Sequence, residues 1–411
     1  MTGSIYVEDL NNEKEMIQHL IDLKVKLNGL ICDSFENSTL VQQALKDSLK
    51  LCINKRQIKP AEMLAKFMDN LLAPRKLILN VHTALQHCIE LFRLVRDKDV
   101  FGAFYGTALS KRLLQIKSSS IDMERDILLK LKTECGSEFT TKFEQMLKDV
   151  DISKEIMRSF RENALAQVKL PSFEFSVSVL QSGSWPTVAP SRVLLPKDFE
   201  VCQKVFEEFY LSRHSGRLLK WQNNLGQCVL KSMFGKEYHE LGVSVIQAAV
   251  LLLFNDRNSL TYIQIQQRTD IVDEELCRIL QSLSVAKYKL LQKSSKSRDV
   301  LRSDSFDFNT EFTHPQFKIL VNQIVPASAA AEEKQVVERV FSDRVMSVDA
   351  CIIRILKSKK KILHKNLVVD LYEKLKFAIQ PTDLKKRIES LIGQDFIERD
   401  SGNHQMYIYR A

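Results

Sequence analysis

The chain has 411 residues, 45% hydrophobic and 27% charged, which is enough for two or three domains that each bury a core. Its net charge of +9 favours acidic partners, such as nucleic acid, anionic lipid or an acidic protein surface, although a solvated basic surface is the commoner cause. The longest apolar run, Val243 to Phe254, is too short to span a bilayer, so we expect no membrane partner.

The eight cysteines are scattered and form no CxxC or Cys/His group with metal-ligand spacing. We therefore expect neither an intrinsic metal site nor a disulfide framework. Free thiols indicate a reducing compartment, here the cytoplasm and nucleus. The acidic, polar N-terminus resembles neither a signal nor a transit peptide.

Motifs for intrinsic catalysis are missing from the sequence. There are 12 glycines and neither GxxxxGK[ST] nor GxGxxG, so no phosphate-binding loop is expected. Ser182 and Ser184 in SGSWP lack the G-x-S-x-G elbow and are typical of a turn. His214 has no visible acid or nucleophile as a partner. We expect no catalytic residue and no cofactor.

The first part of the chain has the apolar spacing of long helices, from about residue 13 to residue 166. Pro60 is placed where a helix begins, and the run Asp122 to Cys135 is amphipathic. We predict the remnant of a helical repeat over residues 1–55 and a four-helix-type bundle over residues 56–168.

An α/β segment is predicted over residues 169–240. Phe173 to Pro186 alternates apolar and polar residues and indicates a strand, and Lys197 to Tyr210 indicates a helix. Arg217 to Gln222 and Gln227 to Phe234 flank the sequence NNLG, which predicts a β-hairpin.

Two similar units follow, over residues 241–325 and 335–411, each with three helices and a β wing. The predicted elements are Val243 to Phe254, Thr261 to Arg268, Asp273 to Ser284 and Lys289 to Phe308, then Ile352 to Leu363, Asn366 to Leu375, Pro381 to Ile392 and Phe396 to Tyr409. Shifted by 108 positions, apolar residues coincide: Leu276, Leu280 and Leu283 with Leu384, Ile388 and Leu391. This order is the winged-helix pattern, so the predicted fold is mainly α with an α+β segment.

Winged helices make nucleic-acid binding the first conventional hypothesis. The candidate reading helix at Asp273 begins with acidic residues, which disfavours contact with DNA bases. The one at Pro381 carries Lys385, Lys386 and Arg387, which could contact phosphates, but lacks side chains for base readout at its start. A protein-docking role fits the residues better.

The stretch DACIIRILKSKKKILHK offers a second hypothesis. An apolar helix face runs into a basic cluster, and Lys357 is the first lysine after that face. One helix would place Arg354, Lys360 and Lys361 on the same side as Lys357. These cations would disfavour the charged form of its amine and attract an acidic partner. Lys357 could then accept a carrier protein in an isopeptide bond, although a solvated helix end is the commoner explanation.

The same residues resemble the C-terminal region of the cullins, scaffolds of multi-subunit ubiquitin ligases. The segment from Asp349 to Lys357 is similar to the family's modifier-attachment sequence, and PTDLKKRIESLI, from Pro381, is similar to its following helix. KRLL, GSWP and FYLSRHSGRLLKWQNNLGQCVLK are also cullin-like, and NKRQIKPAEMLAKFMD looks most like the cullin-4 branch. The resemblance covers the chain from about residue 20 to its end.

The resemblance implies a non-catalytic scaffold that accepts a ubiquitin-like modifier on Lys357 (neddylation) from that modifier's conjugating enzyme. A RING-box protein would add a strand to the α/β segment and recruit a ubiquitin-conjugating enzyme for ubiquitin-dependent degradation. The residues we expect to contact the RING-box protein are Phe175, Val177, Trp185, Leu218 and Trp221.

A cullin-binding exchange factor and a deneddylating complex are further partners that the resemblance implies. Full cullins carry an N-terminal stalk of helical repeats that binds the substrate adaptor. This sequence begins near the end of the last such repeat, so adaptor binding is not expected of it. The alternative function is a winged-helix nucleic-acid-binding protein.

Overall fold

The computed structural model describes all residues except 1, 10–12, 14, 57, 74–80, 115–120, 164–169, 187–191, 236, 296, 322–328, 376, 378 and 411. The chain forms two compact units, one of residues 1–144 with 333–411 and one of residues 145–332. The predicted boundary at residues 168 and 169 lies outside the described residues. No helix in the described part of the chain is long and apolar enough to cross a membrane.

The first unit is helical over its N-terminal part, as its apolar spacing predicts. Its helices are α1 (Thr2–Glu8), α2 (Met16–Ser34), α3 (Thr39–Ile53), α4 (Lys59–Leu72), α5 (Val81–Phe92), α6 (Lys98–Leu114) and α7 (Ile121–Cys135), and the first residues of α8 (Ser137–Arg161) also belong to it. Pro60 lies in the first turn of α4, which confirms the predicted helix start. Gly136 has φ +82° between α7 and α8, a conformation that favours glycine.

A buried ion pair joins α4, α6 and α7. The guanidinium of Arg112 donates to Glu124 from Nε at 2.6 Å and also pairs with Asp69, and the hydroxyl of Tyr105 donates to Glu124 at 3.1 Å. Glu124 is fully buried. Burial and the adjacent Glu124 carboxylate raise the pKa of Tyr105 well above its usual value, so the phenol stays protonated and can donate.

In its described residues, the second unit contains one further helix, two small sheets and a three-helix group. Its elements are the rest of α8, then α9 (Lys197–Arg213), β1 (Gln227–Phe234), β2 (Glu237–Ser244), α10 (Val245–Leu252), β3 (Ser259–Thr261), α11 (Tyr262–Thr269), α12 (Asp273–Ser284), β4 (Leu291–Lys293), β5 (Ser305–Phe308) and β6 (Lys318–Leu320). The sheets have the orders β1-β2-β6 and β3-β5-β4. The side chains of Ser244 and Thr261 each accept a hydrogen bond from a backbone N–H in a capping box and begin α10 and α11.

The predicted hairpin around NNLG is wrong. Strand β1 pairs instead with β2, and Phe234 lies opposite Glu237. Gly226 has φ −71°, whereas a tight hairpin turn needs positive φ, which Gly235 supplies with φ +58° between β1 and β2. The backbone carbonyl of Gly226 accepts the N–H of Val245, and a Cβ on Gly226 would meet the Val245 side chain at 2.5 Å.

Two other predicted strands are also wrong, and one predicted helix begins two residues later. Phe173 to Pro186 and Arg217 to Gln222 belong to no sheet of the described residues. The residues 182–184 of the first segment form the predicted turn. Val243 and Ser244 end β2, so the predicted helix there begins only at Val245, because β2 is paired on both sides up to Gly242.

The last part of the first unit contains α13 (Ala329–Lys359), β7 (Lys361–Leu363), α14 (His364–Lys374), α15 (Pro381–Gly393), β8 (Ile397–Arg399) and β9 (Met406–Tyr409). The sheet order is β7-β9-β8. The predicted helix from Ile352 to Leu363 is wrong at its end, because Lys360 has φ +63° and residues 361–363 pair with β9.

Both three-helix groups bury the apolar positions related by the 108-residue shift, so these positions belong to the core of each group. Helices followed by a small antiparallel sheet occur in both groups, and their winged-helix assignment stays a prediction. The molecule is mostly helical with small sheets, which confirms the predicted fold class.

We predict that Glu124→Gln destabilises the first unit by about 3 kcal/mol, because Asp69 is then the one anionic partner that the described residues offer the buried Arg112 guanidinium. Urea denaturation followed by far-ultraviolet circular dichroism measures the change. Asp122→Asn, at an exposed position of the same helix, is the control and should stay within about 0.5 kcal/mol of the parent. Equal effects of both changes would refute a stabilising role for the buried pair.

Candidate functional site

The end of α13 carries the apolar face that the sequence predicts. Val348, Ile352, Ile355 and Leu356 are buried in one core with residues of α14, α15 and the last sheet. Arg387 on α15 donates to Asp349 from Nε at 2.9 Å, and these hydrogen bonds raise the pKa of Arg387. The core and this pair fix the rotation of α13, so the opposite side of its last turns, with Lys357, is exposed.

The lysines around Lys357 are engaged within the chain. The amine of Lys359 pairs with Asp370 at 2.6 Å, and that of Lys361 lies 4.0 Å from Asp400. The amine of Lys360 lies 5.7 Å from the centre of the Tyr409 ring, a cation–π distance. For Lys357, the described residues provide no carboxylate within ion-pair distance. Lys357 is therefore the lysine of this cluster that the described fold leaves available.

The predicted grouping of cations around Lys357 is only partly present. Arg354 is exposed one turn earlier on the same helix, at a spacing that places it beside Lys357. Lys360 and Lys361 lie beyond the helix end, so helical spacing no longer places them on that side. The prediction that one helix aligns all three cations with Lys357 is wrong.

The chemistry open to this site is that of an accessible amine. A lysine in the last turn of a helix also stabilises the helix through its dipole, so position alone assigns no function. Burial raises the pKa of the Cys351 thiol on the same helix and keeps it protonated, so Lys357 is the better candidate nucleophile. The activated carbonyl for such a reaction would come from another protein. Within the described residues, no cluster of His, Cys, Asp or Glu could hold a metal ion.

A second candidate site is an apolar cluster between α8 and α9 that two extended segments cover. Met157, Phe160, Val205, Phe206, Phe209 and Tyr210 form its buried centre. Phe175, Val177 and Trp221, which the sequence analysis expected to contact a partner, pack against this centre. Leu218 is 81% exposed and is not part of the cluster. The indole of Trp185 donates to Asp149 at 2.7 Å, so its polar atom is already bound.

Helix α8 holds the first extended segment through one stripe of side chains. Asp149, Ser153 and Met157, spaced by four residues, accept the backbone N–H groups of residues 181, 179 and 177 at 2.8, 2.8 and 3.3 Å. The hydroxyl of Ser153 also donates to the carbonyl of residue 179. This stripe is not predictable from the sequence, because its three residue types share no pattern that signals a backbone-binding role.

The other edge of this segment is open. In extended backbone, alternate residues direct their N–H and C=O groups to opposite sides. Ser176, Ser178 and Leu180 therefore direct theirs away from α8, and the described residues offer them no backbone partner. The same holds for the backbone of residues 217–221, and among the described strands β1 pairs with β2 alone. Unit two thus presents unpaired extended backbone above an apolar cluster, which is the requirement for adding a strand.

Comparison with known families assigns three segments of the chain. Residues 2–157 match the cullin alpha solenoid domain, residues 179–312 the cullin alpha+beta domain, and residues 343–403 the cullin protein neddylation domain. Lys357 lies within the third match. The second match begins at Val179 and contains α9 and the second extended segment, with their residues of the apolar cluster.

Individual relatives agree. The chain is 42% identical over 412 residues to Cullin-4A of Homo sapiens, covering 100% of this chain and 54% of the relative. It is 40% identical to Cullin-4 of Dictyostelium discoideum, covering 100% and 56%, and 39% identical to Cullin-3A of Arabidopsis thaliana, covering 97% and 55%. The chain therefore spans about half the length of the curated relatives it matches.

We predict that Lys357 reacts faster with an N-hydroxysuccinimide ester than Lys359 does, because the ion pair with Asp370 ties up the Lys359 amine. Timed labelling of the folded chain with peptide mass spectrometry gives both rates. In Asp370→Asn, the rate at Lys359 should rise towards that at Lys357. Equal rates in the parent chain would show that the ion pair does not separate the two amines.

Proposed function

Since the chain belongs to the cullin family, we propose that it is the non-catalytic scaffold of a cullin-RING ubiquitin ligase. The observation that carries this proposal is Lys357, an exposed amine without a described anionic partner, inside the segment that matches the neddylation domain. In this role the chain holds other proteins in place and supports ubiquitin-dependent degradation without doing chemistry on the substrate.

Lys357 is the proposed attachment site for the ubiquitin-like modifier. The modifier arrives with its C-terminal carbonyl in a thioester on its conjugating enzyme. The deprotonated amine of Lys357 attacks that carbonyl, the C–S bond breaks, and an amide bond forms as the thiol leaves. Exposed Arg354, one turn earlier, adds positive charge that favours an acidic docking face on the conjugating enzyme.

A RING-box protein is the proposed partner of the open backbone edges in the second unit. An extended segment of that protein would pair with Ser176, Ser178 and Leu180 and place alternate apolar side chains on the cluster around Phe206. Strand addition supplies the missing backbone hydrogen bonds and excludes water from Val177 and Trp221. The RING-box protein would then bring a ubiquitin-conjugating enzyme to the scaffold.

Modification of Lys357 acts in this scheme as a switch. A bulky modifier on the last domain favours conformations in which that domain is displaced. The modifier thereby shifts the equilibrium between conformations, and the scaffold itself catalyses no reaction. An exchange factor and a deneddylating complex are proposed to act on the unmodified and the modified forms, respectively.

Nucleic-acid binding receives no support from a specific contact surface. Helix α12 begins with three acidic residues, as the sequence analysis noted. On α15, Arg387 is bound to Asp349, which leaves Lys385 and Lys386 as the exposed cations of the predicted phosphate-binding set. We therefore do not propose this function.

We predict that Lys357→Arg abolishes attachment of the modifier in a reaction with its purified conjugation machinery, because arginine keeps the charge but cannot form the isopeptide bond. The readout is a gel shift with mass-spectrometric mapping of the linkage. Lys359→Arg is the matched control and should be modified like the parent. Equal modification of Lys357→Arg and the parent would rule out Lys357 as the acceptor.

We predict that Ser178→Pro weakens co-purification with a co-expressed RING-box protein at least tenfold, because proline removes an N–H from the open edge. Ser178→Ala is the control, since it changes only an exposed side chain and keeps the N–H. If the proline and alanine variants retain the partner equally, the partner does not pair along this edge.

A further inference from the structure

Arg344 lies at a junction of three parts of the first unit. From α13, its guanidinium donates to Asp99 at 2.5 and 2.8 Å and to Asp97 at 2.8 Å. Asp99 is in the first turn of α6, and Asp97 immediately precedes that helix. The guanidinium also lies 5.0 Å from the ring centre of Phe377, in the connection between α14 and α15. This side chain of α13, the helix that carries Lys357, therefore contacts both the N-terminal helical bundle and the last domain, which consists of α14, α15 and the sheet β7-β9-β8 with the end of α13.

The middle of α13 has little apolar packing to hold it. Between Val340 and Val348, which are both buried, Arg344 is the residue that is not exposed, and Phe341, Val345 and Met346 are open to solvent. Further towards the N-terminus, Glu333 pairs with Lys66 of α4. The contacts of this part of the helix are thus a narrow stripe in which ion pairs lie beside half-buried Val336 and Val337 and buried Val340. Such a stripe separates at lower cost than an apolar core, because released charges are rehydrated.

The Arg344 contacts are strong for a stripe of this kind. Two donor atoms reach both oxygens of Asp99 in a bidentate arrangement, and the side chain of Arg344 is only 13% exposed. Asp97 and Asp99 would both lose this guanidinium if α13 rotated away from α6.

We propose that Arg344 is a positioning residue. Its ion pairs with Asp97 and Asp99, together called the latch, hold helix α13 against the bundle and so set where Lys357 is presented. Breaking the latch frees the middle of α13 and leaves the core of the last domain folded. The regulatory consequence rests on the proposed function, because any partner or modifier that displaces the last domain must break these contacts. The latch itself is a property of the chain alone.

The test is hydrogen exchange of the full chain, unmodified and without partners. Arg344→Met removes the charge and keeps the apolar stem. We expect amides of residues 334–347 to exchange about tenfold faster or more. Amides of α15 should keep their protection, because the core between α14, α15 and the end of α13 stays intact. Lys334→Met, an exposed position on the same helix, is the matched control and should leave exchange unchanged.

A second set of variants separates a latch from general destabilisation. Asp97→Asn with Asp99→Asn should accelerate exchange in the same segment, and adding Arg344→Met should bring little further change, because all three changes remove the same interaction. Unchanged exchange in Arg344→Met, or an acceleration that includes α15, would overturn the proposal. Modifier transfer to Lys357, measured in parallel, distinguishes failure of the proposed function from failure of the latch. If Lys357 is not modified, the proposed function is refuted, but the hydrogen-exchange test of the Arg344 contacts remains valid.

Discussion

The hydrogen bonds between helix α8 and the extended segment at residues 177–181 are the interaction that positions the open backbone edge of the second unit. Asp149, Ser153 and Met157 bind every second N–H of that segment. They hold it extended over an apolar cluster without a neighbouring strand. Extended backbone that lies against a core normally has partners on both sides. Here the described residues supply partners on one side only, and the other side is where we propose that a second protein binds.

The charged side chains at the end of α13 show the same pattern, in which the described residues satisfy some groups and leave one without a partner. Acidic residues of the last domain neutralise Lys359 and Lys361, and an aromatic ring receives Lys360. Lys357 is left over, held outward by the core beneath the opposite face of its helix. In both units a rigid, buried layer fixes the position of a polar group that the described chain does not satisfy. Such groups are suited to partners that arrive from solution.

Apolar spacing predicted the helix faces and helix starts that depend on the burial of side chains within the chain. The faces of α13, α12 and α15 and the helix start at Pro60 follow from periodicity and capping rules, and the structure confirms them. The alternation at Phe173 to Pro186 predicted a strand, and Phe175, Val177 and Val179 do pack against the cluster, but the segment pairs with no strand of the described residues. Pairing depends on residues outside the segment, which a local pattern does not specify.

Contacts between distant residues set the remaining features. Helix α13 ends at Lys359 because the next residues pair with β9, almost fifty positions later, and this removes Lys360 and Lys361 from the side of Lys357. Lys357 differs from Lys359 through Asp370 on another helix. The ion pairs of Arg344 join residues 245 and 247 positions apart, a separation at which helical spacing carries no information.

The central claim is that the second unit is completed by a strand from a RING-box protein. Residue-resolved hydrogen exchange of the chain, alone and co-purified with such a protein, tests it most directly. We expect the amides of Ser176, Ser178 and Leu180 to become strongly protected in the complex, while those bound to Asp149, Ser153 and Met157 change little. A stable complex in which the three open amides exchange as fast as in the free chain would contradict this account.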